Sequence, residues 1–329
     1  AFDQQDRRMW LISNGTPETS VLGREKRAIE RMSLVRKDLR LARPFYDEVT
    51  SQHKPSVRRW QSKFDRSRFQ SAVQRVIDYI FAGDIFQANL SQSFRAEYSS
   101  DTVPERFGLY RRLREISSAP FGAFLNFGDV AVLSNSPERL LKVKDGNVET
   151  KPIKGTRPRG ETPLSDSELA QELMLSPKDR AENIMIVDLL RNDLSKVCKP
   201  HSVKTPMICA LESYANVHHL VSTVTGELQD GKSAVDLLQA SFPGGSITGA
   251  PKIRAMEIID EFEPVKRGIY SGAVGYLSWN GNMDTAIAIR TAVIKDKHLS
   301  IQAGAGIVYD SVPENEWAET MNKARAIFR

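Results

Sequence analysis

The chain has 329 residues, enough for one large domain or two moderate ones. At 40% hydrophobic, 26% charged and 8% aromatic it lies far from the composition of a disordered chain and can build a core without disulfides. The net charge of +5 comes from 46 basic and 41 acidic residues that are interspersed, which disfavours a nucleic-acid stripe and suits a small anionic ligand.

Taken in chain order, residues 1 to 13 read as a strand. The start, Ala1 to Gln5, has neither the basic nor the apolar stretch of a signal peptide. Arg8 to Ser13 has no earlier strand to pair with, so the chain is expected to open in the middle of a domain. Residues 23 to 42 read as a surface helix and Pro44 to Phe64 as a linker. A helix from Ser67 to Ala82 presents Phe69, Val73, Val76, Ile77 and Ile80 on one face and stops at Gly83. From Phe86 to Val148 the period changes to two, with runs at 121–127, 130–133 and 140–143, a turn at Asp145-Gly146 and one helix near 104–116.

Helices follow at 165–174, 177–192, 234–240 and 253–260. Cys198 and Cys209 fit neither redox nor zinc spacing and read as buried thiols in a reducing, cytoplasmic setting. No apolar run reaches the roughly 18 residues of a membrane span. Ile269–Trp279, the hairpin dipeptide Asn280-Gly281, Met283–Ile294 and His298–Val308 read as three consecutive strands of a meander, before a last helix at 314–328. Hairpin-joined strands with helices in blocks predict an α+β fold with antiparallel sheets.

Several groups could carry chemistry. Asp179 and Glu182, and likewise Glu316 and Glu319, lie three apart on predicted helices, so each pair shares a face. Together they either hold a divalent cation or line two solvated surfaces. The run from Gly244 to Lys252 has the glycine spacing of a phosphate loop but carries Ala250-Pro251 where the lysine and hydroxyl belong, and Gly304-Ala305-Gly306 lacks the third glycine of a dinucleotide fingerprint. Both fit a close backbone approach to a flat carboxylate, or plain turn chemistry. Lys154, in Lys151-Pro152-Ile153-Lys154-Gly155-Thr156-Arg157-Pro158-Arg159, is either an amine nucleophile with a lowered pKa or part of a solvated basic loop. Glu138 is an acid/base candidate or a surface carboxylate, and His219, in an apolar run, reads as a core histidine.

These segments, with Gly83 to Leu90, Ser136-Pro137-Glu138-Arg139, Asp179 to Asn183, Arg191 to Leu194, Phe242 to Ser246 and Ala303 to Lys323, resemble the chorismate-utilising enzymes over residues 64 to 329. The likeness is strongest to their aminodeoxychorismate synthase component I branch, because Lys154 stands where anthranilate synthases typically carry alanine. The resemblance implies two large antiparallel sheets packed across each other with outer helices. Residues 1–63 would be the remnant of an N-terminal subdomain plus linker, and 64–329 the chorismate-binding catalytic domain. It implies amination of chorismate by ammonia to 4-amino-4-deoxychorismate, on the route to p-aminobenzoate and folate, with anthranilate synthesis as the alternative. Lys154 would be the nucleophile and Glu138 the general acid/base. His219, Ser246, Tyr270, Arg290, Gly304, Gly306 and Lys323 would contact substrate. Asp179, Glu182, Glu316 and Glu319 would hold Mg²⁺, with Asp179 standing where many relatives have Glu. Gln87 replaces the water-activating lysine of isochorismate and salicylate synthases, which argues against water as nucleophile. Pro120, Phe121 and Gly122 match part of a tryptophan site in some relatives. A separate glutamine amidotransferase would supply the ammonia, and neither nucleic acid nor membrane is expected as a partner.

Overall fold

The structure, a computed structural model, describes residues 1–3, 6–41, 57–98, 102–116 and 119–328. Two compact units emerge, Ala1–Lys54 and Pro55–Arg329. In the first, β1 (Phe2–Asp3) and β2 (Arg8–Met9) pair antiparallel, followed by α1 (Val21–Leu41). The expected strand 1–13 is therefore two short paired strands among the described residues, and Arg8 does have a partner, Asp3. The turn at Arg7, with φ at +51°, breaks the expected single strand. Helix α1 buries only Ala28, as its polar composition requires.

The second unit carries the remaining elements: β3 (Val57–Ser62), α2 (Arg66–Phe81), β4 (Gln87–Tyr98), α3 (Val103–Ile116), β5 (Phe121–Asn126), β6 (Val130–Ser136), β7 (Arg139–Lys144), β8 (Asn147–Lys151) and β9 (Ile153–Pro158). Then follow α4 (Pro163–Leu175), α5 (Pro177–Ser195), β10 (Lys204–Ser213), β11 (Val217–Glu227), α6 (Ala234–Ser241), a 3₁₀ turn (Gly245–Ile247) and β12 (Gly249–Ala250). The chain ends with α7 (Lys252–Phe262), β13 (Ala273–Leu277), β14 (Met283–Ile287), β15 (Thr291–Lys295), β16 (His298–Ile307) and α8 (Pro313–Phe328).

The strands form two antiparallel seven-stranded sheets. The first runs β10-β11-β8-β7-β14-β13, with β9 also on β11, and the second β12-β4-β16-β15-β6-β5, with β3 on β4. The fold is α+β, as expected from the hairpin pattern. Two corrections follow from the pairing. Part of the expected linker, Val57–Ser62, is a strand, because β4 is long enough to pair β16 on one edge and β3 on the other; residues 42–56 lie outside the described set. The expected strand Met283–Ile294 is two strands in different sheets, since β14 pairs β7 and β13 whereas β15 pairs β6 and β16. The chain crosses between the sheets at Ala288–Arg290, where Arg290 takes a φ of +49°. It also crosses directly from strand to strand at Pro137-Glu138, between β6 of the second sheet and β7 of the first.

Helices cover the sheets according to their apolar faces. Helix α2, capped by the Asp65 carboxylate on the Arg68 N–H, buries Phe69, Val73, Val76 and Ile77 with Ile258 of α7 against Leu90 and Ile307. Helices α5 and α6 pack Ile186, Leu190 and Leu237 on Leu140, Leu141 and Val224 of the first sheet. Tyr110 of α3 and Ala324 of α8 join Leu133, Ile294 and Leu299 of the second. Buried aliphatic and aromatic side chains contribute roughly 1.5–3 kcal/mol each, so this packing fixes the relative position of the sheets and of the crossings between them. Cys198 and Cys209 are free and buried, in line with the sequence. Among the described residues no helix is long and apolar enough to cross a membrane.

Candidate functional site

A cavity of about 690 Å³ opens between the sheets, floored by β16 and walled by α5 and α8. The crossings at Pro137-Glu138 and Ala288–Arg290 deliver Glu138 and Arg290 to it. Strand β9 contributes Lys154 through a bulge: Thr156 pairs His219 and Ile153 pairs Val221, so Lys154 and Gly155 together oppose Leu220. A bulge re-aims a side chain, and Gly155 makes it possible with a φ of +85°. A β-carbon there would stand 2.9 Å from both Asp179 Cβ and Leu173 Cδ1. The expected alternative of a solvated basic loop does not hold, because Lys154 has a side chain only 11% exposed, with Nζ 3.9 Å from Glu182 Oε2. Burial lowers its pKa, only partly offset by Glu182.

Glu138 is likewise no surface carboxylate. It is 5% exposed, accepts a hydrogen bond from the Ile153 N–H at 3.3 Å, and burial lifts its pKa to about 6. Ser246 lies near enough to favour the ionised carboxylate, although no hydrogen bond of good geometry forms and its Oγ is buried without a partner. His219 bonds Thr156 Oγ1 through Nδ1 at 2.9 Å, and burial together with Arg290 pushes its pKa down to about 4, so it is neutral. It is a satisfied histidine, yet it faces the cavity. Arg290, whose pKa burial lowers, forms no ion pair among the described residues, which leaves its guanidinium free for an anion in the cavity.

On the floor, Gly304 and Gly306 pair Ser91 and Asn89. A β-carbon at Gly304 would lie 2.7 Å from both Asn89 Nδ2 and Tyr270 Oη, and one at Gly306 would collide with Gln87 Nε2 and stand 3.3 Å from Lys154 Nζ. Neither glycine has a positive φ, so they are small to make room rather than to turn. On α8, Lys323 donates to Gly304 O at 2.9 Å and pairs Glu319 at 2.6 Å.

The four carboxylates Asp179, Glu182, Glu316 and Glu319 all line this cavity. As a donor set they fit a hard cation. Glu316 is buried with Oε2 unpartnered, and burial with the neighbouring Glu319 charge lifts its pKa to about 7; burial raises Glu182 as well. Burial also pushes Glu319 up, but Lys323 pulls it net below the usual carboxylate value. The ligands are not gathered, however: among the described residues no three His, Cys, Asp or Glu converge as a metal site. Three of them are paired with side-chain cations, with Arg157 3.2 Å from Asp179, Lys154 3.9 Å from Glu182 and Lys323 2.6 Å from Glu319.

All 329 residues match the family model described as chorismate binding enzyme. The chain belongs to that family. It is 47% identical over 319 residues to anthranilate synthase component 1 of Pseudomonas aeruginosa, covering 97% of this chain and 63% of the relative. It is 48% identical over 288 residues to aminodeoxychorismate synthase component 1 of Salmonella typhimurium, covering 86% and 63%. The crystal structure of anthranilate synthase component I from Streptococcus pneumoniae superposes with a TM-score of 0.88 at 38% identity, covering all of this chain and 71% of that one. The chain thus spans less than two thirds of either curated relative.

Within this chorismate-binding fold, three of the expected residues stand apart from the cavity. Pro120, Phe121 and Gly122 lie at or beside the edge strand β5, where Phe121 stacks under Arg139 at 5.1 Å and Gly122 abuts the Tyr110 hydroxyl. Conversely, Asn89, Thr156, Arg157 and Lys178 line the cavity without having been assigned a role from sequence. Thr156 and Arg157 directly follow Lys154 and Gly155 on the same strand, and Lys178 precedes Asp179. Adjacency to a motif was the available signal, but a strand sends neighbours to opposite faces, and only the bulge and the helix start bring them inward.

Proposed function

We propose that the chain aminates chorismate at C4 with ammonia, giving 4-amino-4-deoxychorismate, and that residues 64–329 carry this chemistry. The observation that supports this most is the amine of Lys154, buried in the cavity with a lowered pKa and beside the small residue Gly306. Burial makes the uncharged, nucleophilic form of this amine easier to reach, and a covalent adduct splits one difficult substitution into two easier ones.

In the first step Lys154 Nζ bonds to ring C2, both ring double bonds shift, C1=C2 to C1=C6 and C5=C6 to C4=C5, and the C4–O bond breaks. Glu138, whose raised pKa keeps a proton available near pH 6, protonates the departing hydroxyl to water and recovers a proton from the alkylated ammonium. In the second step ammonia bonds to C4, the C2–N bond to Lys154 breaks, and the incoming group's extra proton leaves with the lysine amine. Chorismate and ammonia become product and water, and the enzyme is regenerated. Arg290 grips a substrate carboxylate by two parallel hydrogen bonds, and the neutral His219 and the free Ser246 hydroxyl supply uncharged partners. Asp179, Glu182, Glu316 and Glu319 are the residues that would hold Mg²⁺, which when bound offsets the charge of a ring carboxylate. A glutamine amidotransferase subunit is the proposed source of ammonia.

A second reading, anthranilate synthesis from the same substrate, is favoured by the 47% identity over 97% of this chain to a protein of that name. Product mass after incubation with chorismate, Mg²⁺ and ammonium separates the two. The expected product is aminodeoxychorismate, lost in Lys154→Ala; fluorescent anthranilate from the unaltered chain, or normal aminodeoxychorismate output from Lys154→Ala, overturns the proposal.

A further inference from the structure

Behind the cavity wall, on the segment between α7 and β13, lies an ion pair that neither the catalytic roles nor the sequence motifs use. Arg267 and Glu263 have side chains only 15% and 4% exposed. Arg267 donates through Nε to Glu263 Oε2 at 2.9 Å and through Nη2 to Glu263 Oε1 at 2.6 Å. The same Nη2 reaches Asn89 O at 2.5 Å, while Nη1 reaches Ile247 O at 2.7 Å and Ser271 Oγ at 3.2 Å. A guanidinium has five N–H donors, so all of them are engaged within the protein. Its flat face lies 5.3 Å from the centre of the Tyr270 ring. Glu263 Oε1 in turn accepts from the Ser91 N–H at 2.7 Å and hydroxyl at 2.8 Å.

The bonds converge on one wall. Asn89, Ile247 and Tyr270 line the cavity, and Ile247 follows Ser246, whose buried hydroxyl has no partner. Asn89 Nδ2 lies 3.3 Å from Tyr270 Oη, directly over Gly304. These groups come from three separate segments: β4, the 3₁₀ turn and the approach to β13. The planar fork of an arginine can bridge all three while stacking on the tyrosine; the point charge of a lysine cannot.

Resting on the reading that this cavity takes chorismate, we infer that Arg267, clamped by Glu263, is a positioning residue that sets the Asn89–Tyr270–Ser246 wall for substrate binding. Having no free donor, it acts through the wall and does not touch substrate. The wall's groups bind ground state and transition state alike, so loosening it raises KM more than it lowers kcat.

The test is Arg267→Lys in the Mg²⁺- and ammonium-supplied chain, with folding checked by circular dichroism and chorismate binding by equilibrium dialysis. KM for chorismate should rise at least tenfold with kcat changed less than threefold. On a Tyr270→Phe background the same substitution should raise KM less than threefold, since part of its effect runs through that hydroxyl. A folded Arg267→Lys with KM within twofold of the unaltered chain, or a full effect on the Tyr270→Phe background, overturns the inference. If Arg267→Lys does not fold, Ser271→Ala, which removes a single acceptor, decides: a threefold rise in KM supports the role and an unchanged KM overturns it. Failure of the unaltered chain to bind or convert chorismate sinks the functional reading and this inference with it, whereas normal turnover with an unresponsive Arg267 sinks the inference alone.

Discussion

Gly155→Ala tests whether the β9 bulge aims Lys154. The added methyl must adopt a φ of +85°, which costs an L residue about 1–2 kcal/mol. It also enters a space already bounded at 2.9 Å by Asp179 Cβ and Leu173 Cδ1, an overpacking that costs about 1–3 kcal/mol. The protein can accept the sum, about 2–5 kcal/mol, or relax by smoothing the bulge. Smoothing shifts the strand by one residue and turns Lys154 toward the other face. Either way the amine moves, and a displacement of about 1 Å at a reacting atom costs about 100-fold in rate. Urea denaturation reads the first effect and aminodeoxychorismate formation the second, on the same preparation. A Gly155→Ala protein with the unaltered chain's urea midpoint and full kcat would falsify the claim that the bulge positions the lysine.

Three further substitutions address the rest of the cavity. Glu138 has a pKa of about 6 when folded against 4.5 ordinarily, so between those values the folded state holds the proton more tightly than the unfolded one and stability falls as pH rises. Glu138→Gln should abolish amination yet gain about 2 kcal/mol relative to the unaltered chain between pH 4.5 and 7; a difference between the two proteins that ignores pH contradicts the burial argument. Glu316→Gln should weaken Mg²⁺ binding at least tenfold, on the order of 1.4 kcal/mol, by calorimetry without substrate, and equal affinity removes Glu316 from the proposed site. Arg290→Met gives up charge-assisted hydrogen bonds of about 1.5–3 kcal/mol and should raise KM for chorismate about 10- to 150-fold; an unchanged KM shows that the free guanidinium does not meet the substrate.

Local order was legible wherever one element decides it. The apolar spacing of Phe69, Val73, Val76 and Ile77 gives α2 its buried face, and Asp145-Gly146 turns a hairpin with φ values of +51° and +78°. The carboxylate pairs were visible as helix-face neighbours, because spacings of three and four are a property of one helix. That α5 and α8 face the same cavity was beyond any local pattern. The run Met283–Ile294 shows the limit most clearly: its residues favour extended backbone throughout, but Arg290 bends the chain out of one sheet and into the other. Lys154 was ambiguous for the same reason, since a basic Pro-bounded segment becomes a strand lining a cavity only when β11 is there to pair it.

The sequence by itself determined the α+β class, most helix positions and the residues of the chorismate-binding motifs, because these depend on interactions within a few residues or on matching patterns. The tertiary structure alone decided which of those residues meet. Glu138 and Arg290 come together at the crossings between two sheets, Lys154 turns inward at a bulge, and Arg267 ties β4, the Gly245–Ile247 turn and Tyr270 into one wall. Burial of charge in that shared cavity, and with it the shifted acidity of Glu138, Lys154 and His219, is a property of the assembled fold, since desolvation requires the surrounding elements to be in place.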